Sequence, residues 1–114
     1  MMIRIKNLRL QTIIGIYERE RKEKQEVCIN AEIHFDGTTA SLSDKIEDTV
    51  DYHAIYTEII EHVENSQYQL LEKMALELLK LIKKHPKVTQ AKVEIDKPAA
   101  LPRAESVSIE SSFL

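Results

Sequence analysis

Tryptophan is absent from this 114-residue chain, cysteine occurs once, glycine twice and proline three times. Each scarcity excludes something. The lone Cys28 forms no internal disulfide and offers no CxxC pair for a metal, so the chain suits a reducing, cytoplasmic setting. With Gly15 and Gly37 as the two glycines, there is no GxGxxG or GxxxxGK loop to cradle phosphates, which excludes the familiar kinases, P-loop NTPases and dinucleotide oxidoreductases. Apolar runs such as Ile13-Ile14 and Leu70-Leu71 are far too short to span a bilayer. Arg4, Lys6 and Arg9 break up the first ten residues, leaving no signal-peptide core. Lysine and arginine number 16 against 19 acidic residues, a formal charge of −3 with no basic stripe, which argues against a nucleic-acid partner.

What is present is the balance of a cored globular protein, 43% hydrophobic and 31% charged. The length fits one domain over residues 1–114, and no repeat, linker or composition break divides it. Ile3, Ile5, Leu8, Leu10 and Ile13-Ile14 follow a period of two with a phase slip near Asn7, which predicts a strand carrying a bulge. From Gln25 to Phe35 the alternation is strict. Val27, Ile29, Ala31, Ile33 and Phe35 share one face, and Cys28, Asn30, Glu32 and His34 the other. The charged tract Glu18–Lys24 between them reads as a solvated connection.

The period then changes. Tyr52, Ile55, Tyr56, Ile59, Ile60 and Val63 lie at helical spacing behind Asp51 as N-cap, and a second helix runs through Leu70, Leu71, Met74, Ala75, Leu78 and Ile82 until Pro86. Alternating Ala91, Val93 and Ile95, then Val107, Ile109 and Phe113, predict two closing strands. The order β-β-α-α-β-β predicts an α+β domain: a four-stranded antiparallel sheet with one face covered by two helices. The other face carries Lys92, Glu94, Asp96, Ser106, Ser108 and Glu110 and should be wet. A last strand with no charge after Glu110 has an edge open to another chain, so assembly through sheet edges is expected.

Chemistry is harder to place. His34, His53, His62 and His85 show no HxH or HExxH spacing, so neither a metal nor another cofactor is expected. Cys28 on a polar strand face has no neighbouring motif to activate it, and the serines near the C-terminus lack a nucleophile-elbow context. Glu20 reads as a solvated residue of a charged tract, and Tyr52 as a core aromatic on its helix stripe. Glu72 reads as a first-turn acid matching the helix dipole, and Lys97 as a solvated strand end.

Taken together, these residues carry a resemblance. Ile3-Arg-Ile-Lys-Asn-Leu8, Ile14-Gly-Ile-Tyr-Glu-Arg-Glu20 with Gln25, Asp48-Thr-Val-Asp-Tyr52, Leu70-Leu-Glu-Lys73 and Val93-Glu-Ile-Asp-Lys-Pro98 followed by Arg103-Ala and Val107 resemble the dihydroneopterin aldolases, in order over essentially the whole chain. The resemblance implies the tunnelling fold, in which subunits pair sheet edges into barrels that stack as a homo-octamer with sites between subunits. It implies a metal-free, Schiff-base-free retro-aldol cleavage of 7,8-dihydroneopterin to glycolaldehyde and 6-hydroxymethyl-7,8-dihydropterin in folate biosynthesis. It also implies site roles: Glu72 anchors the pterin ring, Leu71 adds a backbone contact, Lys97 is the general acid/base, and Glu20 and Tyr52 act near the side chain. Arg4–Leu10, His62-Val-Glu-Asn65 and Glu105-Ser-Val-Ser108 are similar to the dihydroneopterin triphosphate 2′-epimerases, the alternative within the same superfamily. Tyr17 and the Lys97–Arg103 spacing favour the aldolase. A non-catalytic pterin-binding or assembly domain is the reading from another class.

Overall fold

The alternating residues of the N-terminal half form two long antiparallel strands in the computed structural model, which describes residues 1–113. Strand β1 is Met2–Ile14 and β2 is Gln25–Phe35. β2 buries every second side chain from Val27 to Phe35 and leaves the alternates half-buried on the other face, as period-two patterning requires. The phase slip is a bulge. Register shifts between Ile5 and Leu8, and Asn7 adopts φ 51°, held by its amide donating to Asn30 Oδ1 at 2.8 Å. Asparagine tolerates this left-handed conformation better than most residues.

Between the strands the tract predicted as a solvated connection is instead a short helix, α1 (Glu18–Lys22), braced by Lys22–Glu18 and Arg19–Glu23 ion pairs four residues apart. Its five residues are too few for an apolar period to register in the sequence. After β2 come α2 (Thr38–Ser43) and a 3₁₀ turn (Ile46–Asp48), then α3 (Tyr52–Glu64), whose N-cap Asp51 accepts from the Ala54 amide at 3.1 Å. A two-residue strand β3 (Gln67–Tyr68) precedes α4 (Leu71–Lys83), and β4 (Val88–Lys97) and β5 (Val107–Phe113) complete the chain.

The sheet order is β3-β1-β2-β4-β5. Four strands are antiparallel as expected. The fifth, β3, corrects the predicted count: it pairs in parallel with Ile13 and Ile14. α3 packs on β1, and α4 on β4 and β5, enclosing Ile14, Ile29, Ile33, Ile55, Ile59, Met74, Leu78, Ile82 and Ile95 with almost no exposure. Each such side chain contributes about 1.5–3 kcal/mol on burial. One buried polar residue fastens the layers. Thr12 donates its hydroxyl to the Val63 carbonyl at 2.6 Å, fixing the C-terminal end of α3 beside the end of β1. The opposite sheet face is polar, with Lys92 reaching Glu32 at 2.8 Å and Glu110 at 3.5 Å. No helix among the described residues is long and apolar enough to cross a membrane.

Candidate active site

A cleft of about 640 Å³ opens at the end of the sheet where β1 and β4 finish and β2 begins. Glu20, Leu71, Glu72 and Lys97, widely separated in sequence, all line it. The sharpest feature is an ion pair: Lys97 Nζ donates to Glu20 Oε2 at 2.8 Å, and the two side chains are only 12% and 20% exposed. Neither is therefore the solvated charge that local sequence predicts. The reason is long-range, since α1 brings Glu20 across the strand ends to a lysine 77 residues away.

Glu20 is held on all sides. As third residue of α1 it accepts from the Tyr17 amide at 3.2 Å, and its other oxygen accepts from Gln25 Nε2 at 3.1 Å. Gln25 spends its second amide hydrogen on the Ile14 carbonyl at 2.7 Å, so the amide orients the carboxylate. The Lys97 ammonium, joined by Gln25 and the Tyr17 amide, lowers the Glu20 carboxyl from an ordinary 4.5 to about 2, with burial opposing the shift. Glu20 is thus a fixed anion, and the lysine beside it is oriented by a charge-assisted hydrogen bond.

The floor is built from backbone. Gly15 adopts φ +129°, donates its amide to the Tyr68 carbonyl at 3.1 Å, and lies directly under the Glu20 carboxylate, where any Cβ would collide. Arg21 clamps this junction, its guanidinium donating to the carbonyls of Gly15 (3.1 Å), Tyr68 (3.1 Å) and Gln67 (2.7 Å). On the far side, α4 begins without a side-chain cap at Leu70, leaving its first amides open, with Glu72 exposed beside the buried Leu71. An exposed carboxylate next to open amides presents acceptors and donors along one line, which suits a planar ring with both kinds of group on its edge.

Tyr52 is not part of this cleft. It is the first residue of α3 and 61% exposed, a correction to its expected core position. The end of α3 that abuts Thr12 lies eleven residues further on, roughly 16 Å along the axis at ~1.5 Å per residue. The hydrophobic stripe of α3 is instead buried at Ile55, Ile59 and Val63. Arg21 is a residue that sequence reasoning missed: its partners are backbone carbonyls, which leave no side-chain pattern. The histidines are dispersed, with His62 on the Tyr68 hydroxyl at 2.7 Å and His85 on Glu58 at 2.9 Å. Cys28 sits among half-buried polar neighbours, and burial pushes its thiol up, the reverse of activation.

A mostly antiparallel α+β sheet ending in a cleft, lined by the buried Glu20–Lys97 ion pair and by the exposed Glu72 carboxylate, characterises the molecule. The dihydroneopterin aldolase family model matches residues 3–112, and the chain belongs to that family. It is 46% identical over 112 residues to a dihydroneopterin triphosphate 2′-epimerase of Escherichia coli, covering 98% of this chain and 93% of that one. To a dihydroneopterin aldolase of the same species it is 29% identical over 105 residues, 92% of this chain and 86% of the relative. The crystal structure of Escherichia coli dihydroneopterin aldolase in complex with neopterin matches with a TM-score of 0.94 at 27% identity, over 98% and 97% of the two chains.

Proposed function

We propose that this protein is an enzyme that breaks the C1′–C2′ bond of a 7,8-dihydropterin side chain by a retro-aldol step. The observation that carries the reading is the Glu20–Lys97 pair facing Glu72 across one cleft. Glu72 accepts from the ring's 2-amino and N3 hydrogens in parallel, and the open amide of Leu71 contacts the neighbouring ring carbonyl. Lys97, oriented by Glu20, exchanges protons with the 2′-hydroxyl through water. As the 2′-hydroxyl loses its proton, the C1′–C2′ electron pair moves into the ring imine, N5 gains a proton, and an enamine and an aldehyde result. The pterin itself is the electron sink, so the step needs neither Schiff base nor metal.

Two outcomes share that intermediate. Protonation at C1′ with loss of the aldehyde is aldolase turnover, giving 6-hydroxymethyl-7,8-dihydropterin. Re-addition to the opposite face of the retained aldehyde inverts C2′, which is epimerisation. Sequence motifs around Tyr17 and Arg103 favour the aldolase, whereas 46% against 29% identity favours the triphosphate epimerase. We take epimerisation of a dihydroneopterin triphosphate as the principal activity and aldol cleavage of dihydroneopterin as the second reading. Incubation with each compound, followed by chromatography, tests both. A C2′ epimer supports the first, 6-hydroxymethyl-7,8-dihydropterin the second, and unchanged substrates in both cases refute the proposal.

The reading also calls for a homo-oligomer. A radius of gyration of 15.3 Å, against about 13 Å for a compact chain of ~100 residues, fits a subunit that is extended on its own. β5 and most of β1 have unpaired outer edges, since β3 covers only Ile13 and Ile14. Edge pairing into a ring, and stacking of rings as in the octameric family pattern, gives the exposed Tyr52 a place at the cleft of another copy, where it reprotonates the intermediate.

A further inference from the structure

The charges of the cleft pair off unevenly. Its lining holds the cations Arg19, Lys24 and Lys97 and the carboxylates Glu20, Glu23 and Glu72. Lys97 is engaged by Glu20 at 2.8 Å and Arg19 by Glu23 at 3.2 Å. Among the described residues no carboxylate lies within ion-pair distance of Lys24, and its ammonium makes no hydrogen bond. Two charges therefore remain uncompensated, the anion Glu72 and the cation Lys24. They stand on opposite flanks. Glu72 follows β3, beyond β1, whereas Lys24 immediately precedes β2, two strand spacings of ~4.8 Å from β3.

We infer that Lys24 is the residue that selects substrate class, by receiving a phosphorylated side chain at the end of the cleft away from the ring anchor. The inference rests on the pterin reading above, in which the ring's donors occupy Glu72. With the ring's donors held there, Lys24 is the cation of the lining that no carboxylate engages among the described residues, which favours a ligand whose tail is anionic. The backbone at Lys24 is well placed for such a role. Lys24 is exposed in the cleft lining, next to Gln25, whose side-chain amide is committed to Ile14 and Glu20. A flexible ammonium at a cleft mouth acts as a point charge for phosphate oxygens. Arg19, already occupied by Glu23, is the lesser candidate.

The test compares kcat/KM for 7,8-dihydroneopterin triphosphate and 7,8-dihydroneopterin in the wild type, Lys24→Ala and Lys24→Glu, with thermal melting to verify folding. Lys24→Ala should lower kcat/KM on the triphosphate by about tenfold and Lys24→Glu by more, while dihydroneopterin changes by less than about twofold. Added salt should raise KM for the triphosphate in the wild type and have a weaker effect in Lys24→Ala. A ratio of the two activities that is unchanged by either substitution overturns the inference. So does a wild type that turns over dihydroneopterin but not the triphosphate, an outcome that leaves the pterin reading standing. Turnover of neither compound sinks the pterin reading and the inference with it.

Discussion

The carboxylate of Glu20 lies over the α-carbon of Gly15, in space that any side chain at position 15 would occupy. The glycine is required twice, for its φ of +129° and for this close approach.

Gly15→Ala should therefore both strain the backbone and displace Glu20 from Lys97. The expected stability loss is about 1–3 kcal/mol, the usual range for a residue forced into a sparsely populated conformation. If the Glu20–Lys97 pair acts as proposed, turnover should fall further than that loss explains, because the ion pair is disrupted. Melting curves and steady-state rates on the same preparation measure the two effects, and a stable, fully active Gly15→Ala protein would contradict the geometry.

Glu20 also links stability to pH. Its folded-state pKa of about 2 lies below the ordinary 4.5, so its contribution is fully present above about pH 4.5 and is lost as pH falls toward 2. The difference of about 2.5 between the two values, at ~1.4 kcal/mol per pKa unit, sets an upper bound of about 3.5 kcal/mol, which solvent screening of a one-fifth-exposed side chain lowers. In urea unfolding at fixed protein concentration, Glu20→Gln should be less stable than wild type at pH 7, with the gap closing by pH 2. A gap that does not vary with pH would mean the carboxylate is not held in this way.

Glu72 and Lys97 should separate binding from chemistry. On the proposed reading Glu72→Ala removes a charged acceptor from the ring donors, with hydrogen bonds to charged groups worth ~1.5–3 kcal/mol, so pterin affinity should drop about tenfold or more. Lys97→Ala should retain most ring binding and lose about 10²–10⁴-fold in turnover, the usual contribution of a positioned proton-transfer group. Fluorescence titration with neopterin and single-turnover kinetics distinguish the two. Normal turnover in a folded Lys97→Ala protein would remove the lysine from the mechanism.

Tyr52 supplies a test of assembly. If a second copy contributes it, Tyr52→Phe and Lys97→Ala chains, each impaired, should regain activity when unfolded together and refolded as a mixture. Mixed rings then contain clefts with both native residues. No gain over the separately refolded variants would confine the site to one chain.

Much of the architecture is legible in residue order, because burial imposes periods of two and 3.6 directly on side-chain type. Val27 through Phe35 identify β2, the stripe from Ile55 to Val63 identifies α3, and even the Asn7 bulge shows as a slipped phase. What escapes is short or bonded through backbone: α1 with five residues, β3 with two, and the Arg21 clamp on three carbonyls. The site behaves likewise. Read locally, Glu20 and Lys97 are solvated charges and Tyr52 is a core aromatic. Family resemblance selects all three for the site, but their environments depend on which strand ends the topology brings together. Only the tertiary structure joins Glu20 to Lys97 across 77 residues and sets Tyr52 at the far end of α3, because an ion pair depends on distance in space and not on separation along the chain.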